Sequence, residues 1–66
     1  MRIVVNGAPR EVAAGLTIAR LLAELRIEPK QVAVEVNLEL VPRGQHGGRV
    51  LSPGDQLEVV TLVGGG

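Results

Sequence analysis

The sequence has no cysteine, phenylalanine, tyrosine or tryptophan, and its one histidine is His46. Without cysteine there is no disulfide, no thiolate nucleophile and no sulfur-ligated metal site. Seven basic residues cancel seven acidic ones. A neutral chain with no aromatic side chain lacks both terms that drive nucleic-acid binding, counterion release and base stacking. No apolar run approaches the ~20 residues needed to span a bilayer. The first residues read straight into a strand pattern rather than a charged-then-apolar leader. A soluble cytoplasmic protein that binds neither nucleic acid nor membrane is the expectation, as a monomer when free.

What is present is aliphatic. Hydrophobic residues make up 45% of 66, so the core must be built from Val, Leu, Ile and Ala. A chain this short buries only ~60% of the surface that its unfolded form exposes. With no staple available, packing alone must hold it.

The residue pattern gives an order of elements. Arg2 to Asn6 is short and β-branched, and Asn6-Gly7 is a strong two-residue hairpin signal, which sends the chain into a second strand around Pro9 to Ala13. Thr17 is placed to cap a helix. Ile18, Leu21, Leu22 and Leu25 then follow at the spacing of one helical face. Leu16 is set to pack on Leu21 as a hydrophobic staple, and Arg20 to pair with Glu24. Pro29 forbids the helix from running on, for two to three turns in all. Val32, Val34 and Val36 alternate as a strand with one buried face. Leu40-Val41 add a short strand ended by Pro42, Gly44 to Gly48 form a loop, and Ser52-Pro53-Gly54-Asp55 a turn. Leu57 to Leu62 make the last strand. One helix with one apolar stripe can cover only one face of a sheet. The economical fold is α+β, a β-grasp: a mixed four- to five-stranded sheet with one main helix packed on one face. A split βαβ fold would need a second helix, which the sequence does not offer. The domain spans 1–63, and 64–66 form a flexible glycine tail.

Within the last strand, Leu57 and Val59 share one face and Glu58, Val60 and Leu62 the other. Leu57 and Val59 are expected in the core against Ile3 or Val4 and the valines of 32–36. Val60 and Leu62 then point outward beside the tail, as a partner interface. Apolar groups together on a surface commonly mark one.

No catalytic constellation is found. Ser52 lies in a turn with no matching base nearby in sequence, no phosphate loop carries its lysine, and no residues cluster at metal spacing. A lone His46 in a glycine-rich loop is more often a solvated side chain than a ligand. Asp55 and Glu58 read as ordinary surface charges. What remains is the end of the chain, Gly64-Gly65-Gly66. Glycines can thread a narrow channel in a partner, and the carboxylate of Gly66 is ionised at neutral pH. It can attack the α-phosphate of ATP held by another enzyme.

Several fragments, in this order and at this length, resemble the ThiS family, the bacterial sulfur carriers of thiazole (thiamine) biosynthesis. They are Ile3-Val4-Val5-Asn6-Gly7, Gly15-Leu16-Thr17-Ile18 with Leu21-Leu22, Val34-Glu35-Val36-Asn37, Leu40-Val41-Pro42-Arg43, Gly54 to Val60, and the end Val63-Gly64-Gly65-Gly66. Where the family often has an aromatic residue a few positions after the Pro-Arg pair, this chain has His46. The resemblance implies a ubiquitin-like fold and a protein co-substrate rather than an enzyme. A ubiquitin-activating-like adenylyltransferase of the ThiF type would adenylate Gly66. That enzyme, not this chain, would bind the ATP and Mg. A persulfide from a cysteine desulfurase would convert the adenylate to a thiocarboxylate, which would give its sulfur to a thiazole synthase of the ThiG type. Carriers for tRNA thiolation or molybdopterin synthesis share the fold and terminus. A non-covalent β-grasp interaction module is the alternative from another class.

Overall fold

The computed structural model describes residues 1–62. Strands β1 (Arg2–Val5) and β2 (Ala8–Glu11) pair antiparallel with Val5 opposite Ala8. Asn6 and Gly7 between them have φ of +50° and +81°, the type I′ geometry that their sequence predicts. β2 starts one residue before the expected Pro9 and stops two before Ala13.

Helix α1 runs over Ile18–Glu24. Thr17 Oγ1 accepts the Arg20 amide at 3.2 Å, which satisfies one of the first-turn donors. Two more donate to loop carbonyls, Ile18 to Arg49 and Ala19 to His46, each at 3.1 Å. Leu16 and Leu21 belong to one buried cluster, as the staple requires. The helix is seven residues long, about two turns, and Pro29 is not what stops it. Arg26 sits in the left-handed region at φ +58°. Its amide reaches back to the Ala23 carbonyl at 3.1 Å, and that of Ile27 to Leu22 at 2.9 Å. This is the Schellman closure, here with arginine where glycine is usual. Leu25 becomes the cap and is half-buried. The Arg20–Glu24 pair does not form; the ion pairs among the described residues converge on Glu11.

Pro29 instead opens a short 3-10 turn before β3 (Val32–Val36). β3 pairs antiparallel with β4 (Glu39–Val41) across a second two-residue loop, Asn37-Leu38, with φ of +52° and +71°. β5 (Gln56–Thr61) then enters between β1, to which it is parallel, and β3, to which it is antiparallel. The order β2-β1-β5-β3-β4 makes the five-stranded mixed sheet that the element order predicts. Both edges meet a proline: Pro9 lies within β2, and Pro42 follows β4 directly.

The core is aliphatic, as composition requires. Ile3, Ile18, Leu21, Leu22, Val34, Val36 and Leu57 are all at most 1% exposed. Ile3, not Val4, is the β1 residue that meets the valines. Val32 and Val59 are half-buried against the same cluster.

Two polar residues depart from expectation. His46 is not solvated: it is 4% exposed, and its Nε2 lies 3.0 Å from the Val41 carbonyl oxygen. Residues 43–45 form a 3-10 turn rather than open loop. With its own carbonyl on Ala19, His46 ties the end of β4 to the start of α1. Nor is Asp55 a surface charge. It is buried, and its carboxylate accepts the Ser52 amide at 2.8 Å and Asn37 Nδ2 at 3.0 Å. The four-residue turn hides it by folding the side chain back on its own backbone. Asp55→Ala removes both hydrogen bonds, at ~1 kcal/mol each for donors on the exposed residues Ser52 and Asn37. The melting midpoint should fall by about 10 °C, and a fall of only a degree or two in a calorimetric scan would dismiss the turn as a stabilising element.

Candidate functional site

The candidate site begins with β5, because that strand leads to the glycines at the end of the chain. Asparagine side chains pin it from both neighbours. Asn6 Oδ1 accepts the Val59 amide at 2.7 Å, and its Nδ2 donates to the Val59 carbonyl at 3.2 Å. Asn37 Oδ1 accepts the Gln56 amide at 3.0 Å, while the Asn37 amide donates to the Gln56 carbonyl at 2.7 Å. Each asparagine is the first loop residue of its hairpin. The left-handed backbone that makes the turn also aims the side chain across at β5, so the ladder continues past the strand ends. Beyond Thr61, the Leu62 amide donates to the Gln31 carbonyl at 2.8 Å.

The register then sorts the side chains. Leu57 lies opposite Val36, and Val59 opposite Val34, on the face that α1 covers. The intervening residues Gln56, Glu58 and Val60 stand on the other face, with Leu62 continuing the alternation past the strand end. Val60 and Leu62 are 51% and 49% exposed, which bears out their outward placement. Their role in an interface belongs to the proposals below. Gly64, Gly65 and Gly66 lie outside the described residues, as does the division between domain and tail at residue 63.

The same open face holds residues that sequence reasoning left unused. Glu35 is directly opposite Glu58, and Leu40 is directly opposite Glu35. Neither glutamate has an ion-pair partner among the described residues. At the hairpin end of this face a shallow groove of about 320 Å³ is lined by Asn37, Leu38, Gln56 and Glu58. The valine alternation of β3 already assigns Glu35 to the face of Glu58. The neighbouring hairpin was hidden because Leu38 stands where a type I′ turn favours glycine.

Among the described residues no three or more acidic or histidine side chains come together as a metal site, and no helix is long and apolar enough to cross a membrane. Nothing in residues 1–62 couples a nucleophile to a base: His46, the one imidazole, is engaged with a backbone carbonyl.

One helix on one face of a mixed sheet, with a parallel central β1–β5 pair, defines a ubiquitin-like β-grasp protein. The chain belongs to the ThiS family, whose model matches residues 3–66. It is 32% identical to the sulfur carrier protein ThiS of Escherichia coli, over the full length of both chains. It is 42% identical to a thiazole synthase of Paramagnetospirillum magneticum, matching along its whole length but spanning only 20% of that relative. Its fold superposes on the crystal structure of the thiamine biosynthesis protein ThiS from Geobacter metallireducens with a TM-score of 0.87, at 33% identity and full coverage of both.

Proposed function

We propose that this protein carries sulfur for thiazole (thiamine) formation as a thiocarboxylate on Gly66. The observation that supports this most directly is the match over both full lengths to the E. coli sulfur carrier, together with a family match that runs through Gly64-Gly65-Gly66. The Gly66 carboxylate attacks the α-phosphate of ATP bound with Mg by an adenylyltransferase of the ThiF type, and pyrophosphate leaves. The outer sulfur of a persulfide derived from a cysteine desulfurase attacks the acyl carbon of the resulting acyl-adenylate, and AMP leaves. A thiol then attacks the sulfur–sulfur bond of this acyl disulfide, which releases the Gly66 thiocarboxylate and forms a disulfide. The chain contributes the reacting end and a surface to recognise, and its partners contribute the catalytic groups. A carrier without cysteine has no thiol of its own to trap the activated acyl group.

The proposed acceptor is a thiazole synthase of the ThiG type. Supporting it is the P. magneticum synthase, which contains within one chain a segment 42% identical to this entire protein. Val60 and Leu62, half-exposed on the strand before the glycines, are the proposed contact for both partners, and Gly64 and Gly65 the stretch that threads into them.

The test is intact-protein mass spectrometry after incubation with ATP, Mg, the cognate adenylyltransferase, a persulfide source and a thiol reductant. The expected product gains the mass of one sulfur in place of one oxygen, at the C-terminus. A chain that stays unmodified with that enzyme, while a genuine carrier reacts in parallel, would sink the assignment.

A further inference from the structure

The open face carries two features that cost the free protein something. The first is the opposition of Glu35 and Glu58 on adjacent antiparallel strands. Like charges directly across a sheet repel, and no cation among the described residues relieves them within ion-pair distance. The second is Leu38, at φ +71° and 88% exposed. A bulky side chain in the left-handed region is strained, and this one gains almost no burial in return. Strain of this kind collects where a surface is used. Both features adjoin one patch: Leu40 lies directly opposite Glu35, Val60 follows Glu58 by two residues on the same face, and the groove between Leu38 and Glu58 opens at its end.

We propose that this face docks a partner protein that inserts an arginine between Glu35 and Glu58, with apolar side chains around that arginine closing over Leu38, Leu40 and Val60. The planar guanidinium has donors enough to bond both carboxylates at once, which an ammonium does less well. Resting on the carrier reading above, the partner is the adenylyltransferase that activates Gly66. Docking turns the repulsion into attraction, so the cost borne by the free carrier becomes selectivity for a cationic partner. Apolar contact alone would not discriminate.

The double variant Glu35→Gln/Glu58→Gln, and separately Leu38→Asn, should be compared with the unsubstituted protein by calorimetric titration against the cognate adenylyltransferase. Asparagine tolerates the left-handed backbone that leucine resists. The double variant is expected to melt roughly 2–5 °C higher, to bind at least about tenfold more weakly, and to lose most of the salt dependence of binding. Leu38→Asn should melt no lower and bind several-fold more weakly with its salt dependence retained. Unchanged affinity and salt dependence in the double variant would overturn the docking proposal while leaving the carrier function intact. Failure of the unsubstituted protein to bind or be adenylated would overturn both.

Discussion

Removing Gly66, or appending one residue after it, is expected to abolish thiocarboxylate formation and leave the thermal midpoint essentially in place. One residue extends a chain by up to ~3.6 Å. A misplacement of ~1 Å at a reacting atom can cost ~100-fold in rate, so either change puts the carboxylate well out of line with the α-phosphate. Gly66 has no side chain to bury, so its loss removes no packing. The truncated chain still ends in a glycine carboxylate, which makes this a test of position rather than chemistry. Mass spectrometry would read the modification and circular dichroism the melt. A truncated protein that still accepts sulfur would show that the reacting group has been misassigned.

The second large effect separates the two faces of β5. Leu57 is 1% exposed, opposite Val36 on one side and Val5 on the other. Leu57→Asp removes a buried aliphatic group and places a charge among others with no partner. Together these cost on the order of 4 kcal/mol or more. A domain of this size has only ~3–10 kcal/mol of stability in total, so the variant should be largely unfolded at room temperature. Leu62→Asp, half in solvent and held there through its backbone amide, should stay within ~0.5 kcal/mol of the parent. It should nevertheless fail to retain the adenylyltransferase and the thiazole synthase in a pull-down. A folded Leu57→Asp beside an unfolded Leu62→Asp would mean that the covered and open faces have been interchanged.

Legibility in the sequence followed how directly each residue type dictates its backbone. Asn6-Gly7 declares a type I′ turn because both residues favour positive φ, and the structure places it there. Alternating valines declare their face, and Val34 and Val36 are buried. Asn37-Leu38 and Arg26 occupy the same left-handed region without glycine, so the second hairpin and the true helix end gave no local signal. The Asn37 turn is held by tertiary contacts of its side chain with β5 and Asp55, whereas Arg26 is held by the local closure of Ile27 on Leu22. His46 and Asp55 are buried where their neighbours in sequence suggest exposure. Each is polar and flanked by turn residues, yet each is buried with its side chain on a nearby backbone group, His46 on the Val41 carbonyl and Asp55 on the Ser52 amide. At the open face, alternation was enough to place Val60 and Leu62 outward. The opposition of Glu35 to Glu58 depends on register between strands over twenty residues apart in sequence, which no single-strand pattern contains.

The prolines at the two sheet margins bear on how this protein can be recognised at all. A flat, unprotected edge would invite any extended segment to add itself as a sixth strand, reading backbone rather than side chains. β4 is three residues long and runs into Pro42, and β2 holds Pro9 among four exposed residues. Neither offers an uninterrupted row of amides. Proline at a margin discourages both self-association into fibrils and indiscriminate strand capture. Under the proposed cycle, a carrier that leaves one enzyme before meeting the next gains from that restriction. Apart from the glycine tail, its proposed contacts are then side chains on one surface, where they can be strong enough to select and weak enough to let go.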